Sequence, residues 1–263
     1  MAESTLLGRF VWHELLTSDP KAAASFYSRT LGWKVEPWDK DPAYTLFRTD
    51  QGLVGGAMTL PAEAKAAGAK PHWLSYIGTP DLKATVDAAT RLGARVLKAI
   101  SPIPTIGRFA VLADPQGAVF AAFTPESGPP PAKDSSHNGD FAWHELVTSD
   151  QVAALKFYKE LFGWGKTDAM EMPNLGTYQL FGLGGISMGG IYNKAADMPF
   201  PPHWLPYATV TDSSAVTGLV SKLGGKVMTG PMEVPGGGMI AILEDPQGVM
   251  FATHSIAPAT ARA

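Results

Sequence analysis

The alternation of apolar and polar residues predicts strands and helices in a fixed order along the chain. The segment "RFVWHELLTSD" is strand-like and ends at Asp19, which can cap a helix, while Pro20 suits the first helical position. Apolar residues then recur about every four positions until Gly32, as in an amphipathic helix with a glycine stop. Three β-type segments follow at 33–38, 44–49 and 53–60. The predicted order is β-α-β-β-β.

The same order begins again after the segment "PAEAKAAGAKP". Residues 72–78 read as a strand and 81–92 as a helix, with Leu82, Val86 and Ala89 on one face and Gly93 as the stop. Three further strands are predicted at 95–100, 109–113 and 118–124. The first half of the chain therefore contains two β-α-β-β-β units, and three strands per helix favour curved sheets with the helices outside.

The second half of the chain repeats the first. The segment Trp12–Asp19 recurs at Trp143–Asp150 with a single change, a spacing of 143 − 12 = 131 residues. The same spacing relates "HWL" at 72–74 to 203–205 and "DPQG" at 114–117 to 245–248. We predict an α+β protein of two tandem modules, residues 1–124 and 141–257. A linker rich in Pro, Gly and Ser joins them at 125–140.

Composition excludes several kinds of function. The 263 residues include 21 basic and 24 acidic ones, a net charge of −3, and no basic cluster stands out, so we predict no nucleic-acid partner. Cysteine is absent, which excludes disulfides, thiol nucleophiles and zinc–thiolate sites. No apolar segment approaches the roughly 20 residues of a membrane helix, and no signal-peptide pattern opens the chain. We expect a cytoplasmic protein without a membrane partner, either monomeric or homodimeric.

Two pairs of repeated motifs resemble the vicinal oxygen chelate superfamily, the glyoxalase I, bleomycin-resistance and extradiol-dioxygenase group. They are "TSDPKAAASFYSRTLGW" with "TSDQVAALKFYKELFGW", and "ADPQGAVFAAF" with "EDPQGVMFATH". The motifs W-x-E-L and P-x-W-L-x-Y resemble its tandem glyoxalase-like members more closely. The resemblance implies paired β-α-β-β-β units whose sheets curve around a small-molecule cavity. In metal-dependent members the ligands lie on the first, fourth, fifth and eighth strands.

The resemblance also indicates which residues occupy the metal-ligand positions of this superfamily. In the first module these are Trp12, Gly56, Leu74 and Ala121, and in the second Trp143, Gly189, Leu205 and Ala252. None of these side chains offers the nitrogen or oxygen that a divalent metal requires. We therefore predict no metal and no other cofactor, with a divalent metal as the alternative.

The repeated "WHEL" motif supplies the candidate catalytic residues. Adjacent strand residues point to opposite faces, so if Trp12 faces the cavity, Glu14 does too, whereas His13 faces the helices. The same argument applies to Glu145 and His144. We predict Glu14 and Glu145 as catalytic or ligand-contacting carboxylates. The structural alternative is a carboxylate neutralised by a basic group or held at a wet rim.

Other side chains alternate along their strands so that they are expected to face the same cavity, or could supply charge beside that cavity. We predict that the ligand site is lined by Trp12, His72, Leu74, Tyr76, Arg108, Phe123, Trp143, His203, Leu205, Tyr207 and His254. Of these, His203 and His254 could approach Glu145 and form an acid/base or metal site. Trp73 and Trp204 have the opposite parity and are expected in the core.

Two classes of function fit these observations. The first is a binding protein that holds a small carbonyl or aromatic molecule between aromatic walls, without the usual metal. The second is an enzyme, either one that uses a cavity carboxylate as base or a metal-dependent glyoxalase-type lyase or extradiol-type dioxygenase. The sequence alone leaves the choice between them open.

Overall fold

The structure is a computed structural model that describes residues 6–128, 137–173, 175–235 and 237–255. Residues 129–136, which form the centre of the predicted linker, lie outside the described residues.

The first repeat contains the predicted elements and one more. Its first half comprises β1 (Phe10–Thr17), α1 (Pro20–Leu31), β2 (Lys34–Trp38), β3 (Asp41–Thr49) and β4 (Gly52–Thr59). After a short helix, α2 (Ala62–Ala66), the second half comprises β5 (His72–Gly78), α3 (Leu82–Arg91), β6 (Arg95–Ile103), β7 (Gly107–Ala113) and β8 (Val119–Pro125). The β-α-β-β-β order is confirmed, and α2 was not predicted.

The second repeat follows the same order. Its first half comprises β9 (Phe141–Thr148), α4 (Gln151–Phe162), β10 (Gly165–Met172), β11 (Gly176–Leu183) and β12 (Ile186–Asn193). Its second half comprises β13 (His203–Thr209), α5 (Ser213–Lys222), β14 (Lys226–Val234), β15 (Gly238–Glu244) and β16 (Met250–Ser255).

Aspartate caps begin the four longer helices. The Asp19 carboxylate accepts a hydrogen bond from the backbone N–H of Ala22, and Asp81, Asp150 and Asp212 cap α3, α4 and α5 in the same way. Gly32 ends α1 in the left-handed conformation that glycine adopts without strain. No helix of the described part of the chain is both long and apolar enough to cross a membrane.

The strands form two eight-stranded sheets of the same topology. The first has the order β2-β3-β4-β1-β5-β8-β7-β6 and the second β10-β11-β12-β9-β13-β16-β15-β14. In each sheet the first strand of a β-α-β-β-β unit pairs in parallel with the fourth, as Glu14 with Gly56 shows. The predicted α+β fold of tandem glyoxalase-like modules is confirmed.

The described residues group into two compact units, and each unit draws on both repeats. Unit one lies within residues 1–12, 74–133 and 143–204, and thus contains the second half of repeat one and the first half of repeat two. Its core joins α3 and α4, with Phe120, Tyr158 and Trp164 among its buried side chains. Unit two lies within 13–73, 134–142 and 205–263, and its core joins α1 and α5.

A buried hydrogen-bonded relay lies in each unit. In unit one, Trp204 Nε1 donates to Tyr158 Oη (3.0 Å), which donates to the Asp114 carboxylate (3.0 Å). In unit two, Trp73 Nε1 donates to Tyr27 Oη (3.2 Å), which donates to Asp245 (3.2 Å). Each relay joins an aspartate of one repeat to an α-helical tyrosine of the other, so it stabilises the pairing of the half-modules.

Candidate functional site

Strand β9 places His144 and Glu145 on opposite faces. His144 lies in the aromatic core of unit one, where its ring stacks on Phe10 with centroids 3.6 Å apart and an interplanar angle of 1°. Its Nδ1 lies 3.3 Å from the Met188 carbonyl oxygen, and burial lowers the pKa of His144 to about 3. Glu145 therefore lies on the sheet face away from the helices.

On that face Glu145 belongs to a chain of aromatic hydrogen bonds. Tyr178 Oη donates to Glu145 Oε2 (2.9 Å), and Trp143 Nε1 donates to Tyr178 Oη (2.9 Å). The Tyr192 ring lies 5.9 Å from the Tyr178 ring, centroid to centroid. We call Trp143, Glu145, Tyr178, Gly190 and Tyr192 the second-repeat site.

Apolar and polarisable side chains surround these groups. Val147 and Leu180 are buried with the two tyrosines, and Met170, Met172, Leu175 and Met198 pack against this cluster. Only 6% of the Glu145 surface is exposed. Such a site, mostly apolar with a few fixed polar groups, has the composition of small-molecule binding sites.

The electrostatics of the second-repeat site keep both phenols protonated. Burial, followed by the charge of Glu145, raises the pKa of Tyr178 well above its usual value. The same two causes raise the pKa of Tyr192. Both phenols therefore keep their protons at physiological pH, and Tyr178 donates its proton to Glu145.

The first repeat carries the corresponding pair in unit two. Tyr44 Oη donates to Glu14 Oε1 (2.9 Å), and the Trp38 ring packs edge-on against Tyr44 at 5.8 Å. Glu14 is 9% exposed, and Tyr44 is half-buried. We call Glu14, Trp38, Tyr44 and Gly56 the first-repeat site, which is more open than its counterpart.

A glycine makes each tyrosine–glutamate pair possible. Gly56 pairs with Glu14 and Gly190 pairs with Glu145 in the β-ladders. A Cβ at Gly56 would overlap the Tyr44 ring, and one at Gly190 the Tyr178 ring. The counterpart of Gly56 is therefore Gly190. The position predicted from the sequence, Gly189, pairs with His144, and a Cβ there would overlap the Phe181 ring, so it lies one residue out of register.

Comparisons with known proteins identify the family. Residues 12–123 match the glyoxalase-like domain, and residues 140–253 match the glyoxalase/bleomycin resistance protein/dioxygenase superfamily. The chain is 30% identical over 254 residues to "Putative glyoxylase CFP32" of Mycobacterium tuberculosis, covering 94% of each chain. The chain belongs to the glyoxalase/bleomycin resistance protein/dioxygenase superfamily.

Other known proteins match over most of their length. Anthracycline biosynthesis protein DnrV of Streptomyces peucetius is 28% identical, with 93% of this chain and 92% of that protein covered. Among solved structures, 2,2',3-trihydroxybiphenyl 1,2-dioxygenase of Sphingomonas wittichii superposes with a TM-score of 0.65 at 14% identity, covering 96% and 91% of the chains. The Mn(II)-bound glyoxalase of Novosphingobium aromaticivorans superposes with a TM-score of 0.63 at 14% identity. The match covers 95% of this chain and 82% of that chain. These structural likenesses show the fold alone.

The superfamily's metal positions in this chain do not fit a metal ion. Ala121 and Ala252 are fully buried, and Leu74 and Leu205 nearly so. Gly56 and Gly190 are covered by tyrosine rings. Trp12 and Trp143 complete these positions, and none of them carries a donor for a divalent ion.

No other metal-ligand cluster takes their place in the described part of the chain. No three His, Asp or Glu side chains come together there closely enough to hold a metal ion. The predicted set of Glu145, His203 and His254 therefore does not form a metal-binding group.

The other predicted lining residues of unit one separate into two faces. Tyr76 is buried, and its ring contacts Phe109 at 5.8 Å and Phe123 at 6.4 Å. Arg108 is exposed and precedes Phe109 on β7, so it lies on the opposite face from these aromatic rings. The structure thus brings Tyr76 and Phe123 together and separates Arg108 from them.

The predicted histidines begin or lie within strands of the second halves. His72 Nδ1 lies 2.7 Å from the Lys70 carbonyl oxygen, and His203 Nδ1 lies 2.9 Å from that of Pro201. In unit two, Leu205 and Tyr207 are buried, and His254 is half-buried beside Gly238.

Tyr44, Tyr178 and Tyr192 were missed by the sequence reasoning. The first two begin the segments "YTLF" and "YQLF", which repeat at a spacing of 178 − 44 = 134 residues. Three inserted residues shift this spacing from 131, which hid the repeat. Tyr192 has Met58 as its counterpart and carries no repeated signal.

Proposed function

We propose that the chain binds a small planar organic molecule, aromatic or carbonyl-bearing, at the second-repeat site. The observation that carries this proposal is the buried Glu145–Tyr178 pair, set in an apolar aromatic surround and repeated as Glu14–Tyr44. Burying a carboxylate is costly unless it is hydrogen-bonded. Because both repeats keep such a glutamate–tyrosine pair despite the cost of burying a carboxylate, we infer that the pair serves ligand binding.

The chemistry of the site supports an aromatic ligand. Trp143 and Tyr192 offer ring surfaces, and Met170, Met172 and Met198 offer adaptable sulfur contacts. One relative is named as an anthracycline biosynthesis protein. We infer a ligand with at least one polar group, because the Glu145 carboxylate is a hydrogen-bond acceptor that Tyr178 holds in place.

If the protein is an enzyme, Glu145 is the candidate base. It would accept a proton from a ligand hydroxyl or from carbon next to a carbonyl, while the protonated Tyr178 orients the carboxylate. The metal-dependent alternatives, a glyoxalase-type lyase or an extradiol-type dioxygenase, have no support from the residues at the ligand positions. We therefore favour binding, with turnover as the property to be measured.

A calorimetric titration with 2-naphthol tests the proposal. We expect wild type to bind one equivalent. Glu145→Gln or Tyr178→Phe should weaken binding about tenfold, because either change weakens or removes the hydrogen bond to the charged carboxylate that holds the Tyr178 ring in place, a contribution of about 1.5–3 kcal/mol. Glu160→Gln on the exposed side of α4 is the matched control and should bind like wild type.

Equal binding by wild type and Glu145→Gln, or no binding of aromatic probes by wild type, would contradict the proposal. Glu14→Gln tests whether the first-repeat site takes part, and we expect at most a small effect because Tyr44 is more open there. A cytoplasmic location and a monomeric or homodimeric state remain our proposals.

A further inference from the structure

The imidazole of His203 has one nitrogen engaged and one buried. Nδ1 lies 2.9 Å from the Pro201 carbonyl oxygen, which can only accept, so Nδ1 carries the proton and donates. Nε2 is buried and has no hydrogen-bond partner among the residues that the structure describes. In the tautomer that Pro201 selects, Nε2 presents a lone pair.

The surroundings keep this imidazole neutral. Burial lowers the pKa of His203, and the charge of Lys194 lowers it further, against the opposing hydrogen bond to Pro201. A buried acceptor without a partner costs free energy in the unliganded protein. A donor brought by a ligand would remove that cost.

His203 lies on the same face as the second-repeat site. Its neighbour Trp204 points into the helix-side core, where it donates to Tyr158, so His203 faces the other way, as Glu145 does. Strands β9 and β13 are adjacent in the sheet. The segment between β12 and β13, which leads to His203, also contacts the second-repeat site. Met198 in this segment packs on the cluster that contains Tyr178 and Tyr192.

The first repeat shows what is special about His203. His72 makes the same kind of Nδ1 contact, to the Lys70 carbonyl. In the second repeat the Phe200 ring meets His203 edge-on at 5.3 Å, whereas the residue three before His72 is Ala69. His203 therefore has an aromatic contact that His72 lacks at the corresponding position.

We propose that His203 Nε2 accepts a hydrogen bond from a hydroxyl or N–H group of the bound molecule, and so restricts the second-repeat site to donor-bearing aromatic ligands such as phenols. This inference rests on the proposed function and adds the substrate class. His203 is a specificity-determining residue that contacts the ligand, and Phe200 keeps water from competing for its lone pair.

A matched pair of probes tests this class directly. 2-Naphthol and 2-methoxynaphthalene share a ring system, but only the first can donate. We expect wild type to bind 2-naphthol at least about tenfold more tightly, because the ether leaves Nε2 buried without a donor. His203→Phe should weaken 2-naphthol binding about tenfold and leave the ether unchanged, while His72→Phe should change neither.

Two further measurements guard against a folding defect in His203→Phe. Phe200→Ala, which copies Ala69, keeps the imidazole and should reduce the preference for 2-naphthol severalfold. In wild type, the ¹⁵N resonance of His203 Nε2 should move on adding 2-naphthol and stay in place with the ether. Wild type that binds both probes equally, or an unmoved Nε2 resonance, would overturn the inference alone. Wild type that binds neither probe would overturn the proposed function as well.

Discussion

The adjacent residues His144 and Glu145 have opposite chemical environments because a strand alternates its faces. His144 stacks on Phe10 in the core, and Glu145 meets Tyr178 on the other side. The histidine is therefore held neutral by burial, whereas the glutamate is held as a hydrogen-bond acceptor. The two residues should therefore affect different measurements. His144 should affect how the free energy of unfolding depends on pH, and Glu145 should affect ligand binding.

His144→Phe should make the free energy of unfolding less dependent on pH. Above about pH 6.5 the imidazole is neutral in both states; as pH falls from about 6.5 towards 3, only the unfolded chain takes up the proton, so stability is lost. From about pH 7.5 to 5 this loss amounts to about 2 kcal/mol for His144. Urea unfolding at both pH values measures it. If wild type and His144→Phe lose the same free energy of unfolding between these pH values, the conclusion that His144 is buried in its neutral form is wrong.

Residue-level reasoning predicted the faces of β9 but not the partner of Glu145. Alternation along one strand is a local property, so "WHEL" was sufficient to separate His144 from Glu145. Tyr178 comes from another strand, 33 residues away in sequence, and the pairing depends on the register of β9, β12 and β11. A spacing counted along the chain cannot supply that register, so the sequence predicts Gly189 where the structure has Gly190.

At the scale of elements, the helices are attached to the rest of each unit by the tyrosine relays. Tyr27 on α1 and Tyr158 on α4 each stand between an indole N–H and a buried aspartate. Asp114 also accepts from the backbone N–H groups of Gln116, Gly117 and Ala118, and Asp245 makes similar contacts. The "DPQG" motif thus positions the carboxylate that receives each tyrosine.

Removing either relay hydroxyl should destabilise the protein without changing its fold. We expect Tyr27→Phe and Tyr158→Phe each to lower the free energy of unfolding by about 1–3 kcal/mol, because a buried carboxylate oxygen and an indole N–H lose their partner. The double variant should lose roughly the sum, since the two relays share no residues. Chemical denaturation measures all three. A silent Tyr27→Phe beside a costly Tyr158→Phe would show that the relays are not equivalent.

The elements themselves were largely predictable because their signals are local. Asp19 and Pro20 begin α1, Gly32 ends it, and the repeat reproduces the same signals for α4 apart from the proline. The short helix α2 was missed because Ala62–Ala66 has no buried residue and therefore no amphipathic pattern.

At the scale of the whole molecule, sequence repeats and compact units divide the chain differently. Each sheet follows one repeat, but each compact unit takes half of its strands from either repeat. In unit one Phe120 of repeat one packs against Tyr158 of repeat two, and in unit two Phe26 packs against Phe251. The sequence shows the duplication but not this pairing, because each half of a module has a helix with an apolar face that either pairing could cover.

The isolated first repeat should therefore not behave as an independent monomer. A fragment of residues 1–128 keeps α1 and α3 but lacks α5 and α4, which cover their apolar faces in the intact chain. We expect this fragment to self-associate, because the exposed apolar area of two helix faces, and the Asp114 Oδ2 atom that loses Tyr158, must find new partners.

Light scattering coupled to size-exclusion chromatography measures the association, and mixing with a fragment of residues 137–263 should restore a one-to-one complex. A monomeric first repeat that unfolds cooperatively, with the stability of the intact chain, would show that the contacts between the repeats contribute little. In that case the Asp114–Tyr158 and Asp245–Tyr27 hydrogen bonds would be incidental rather than part of what holds the half-modules together.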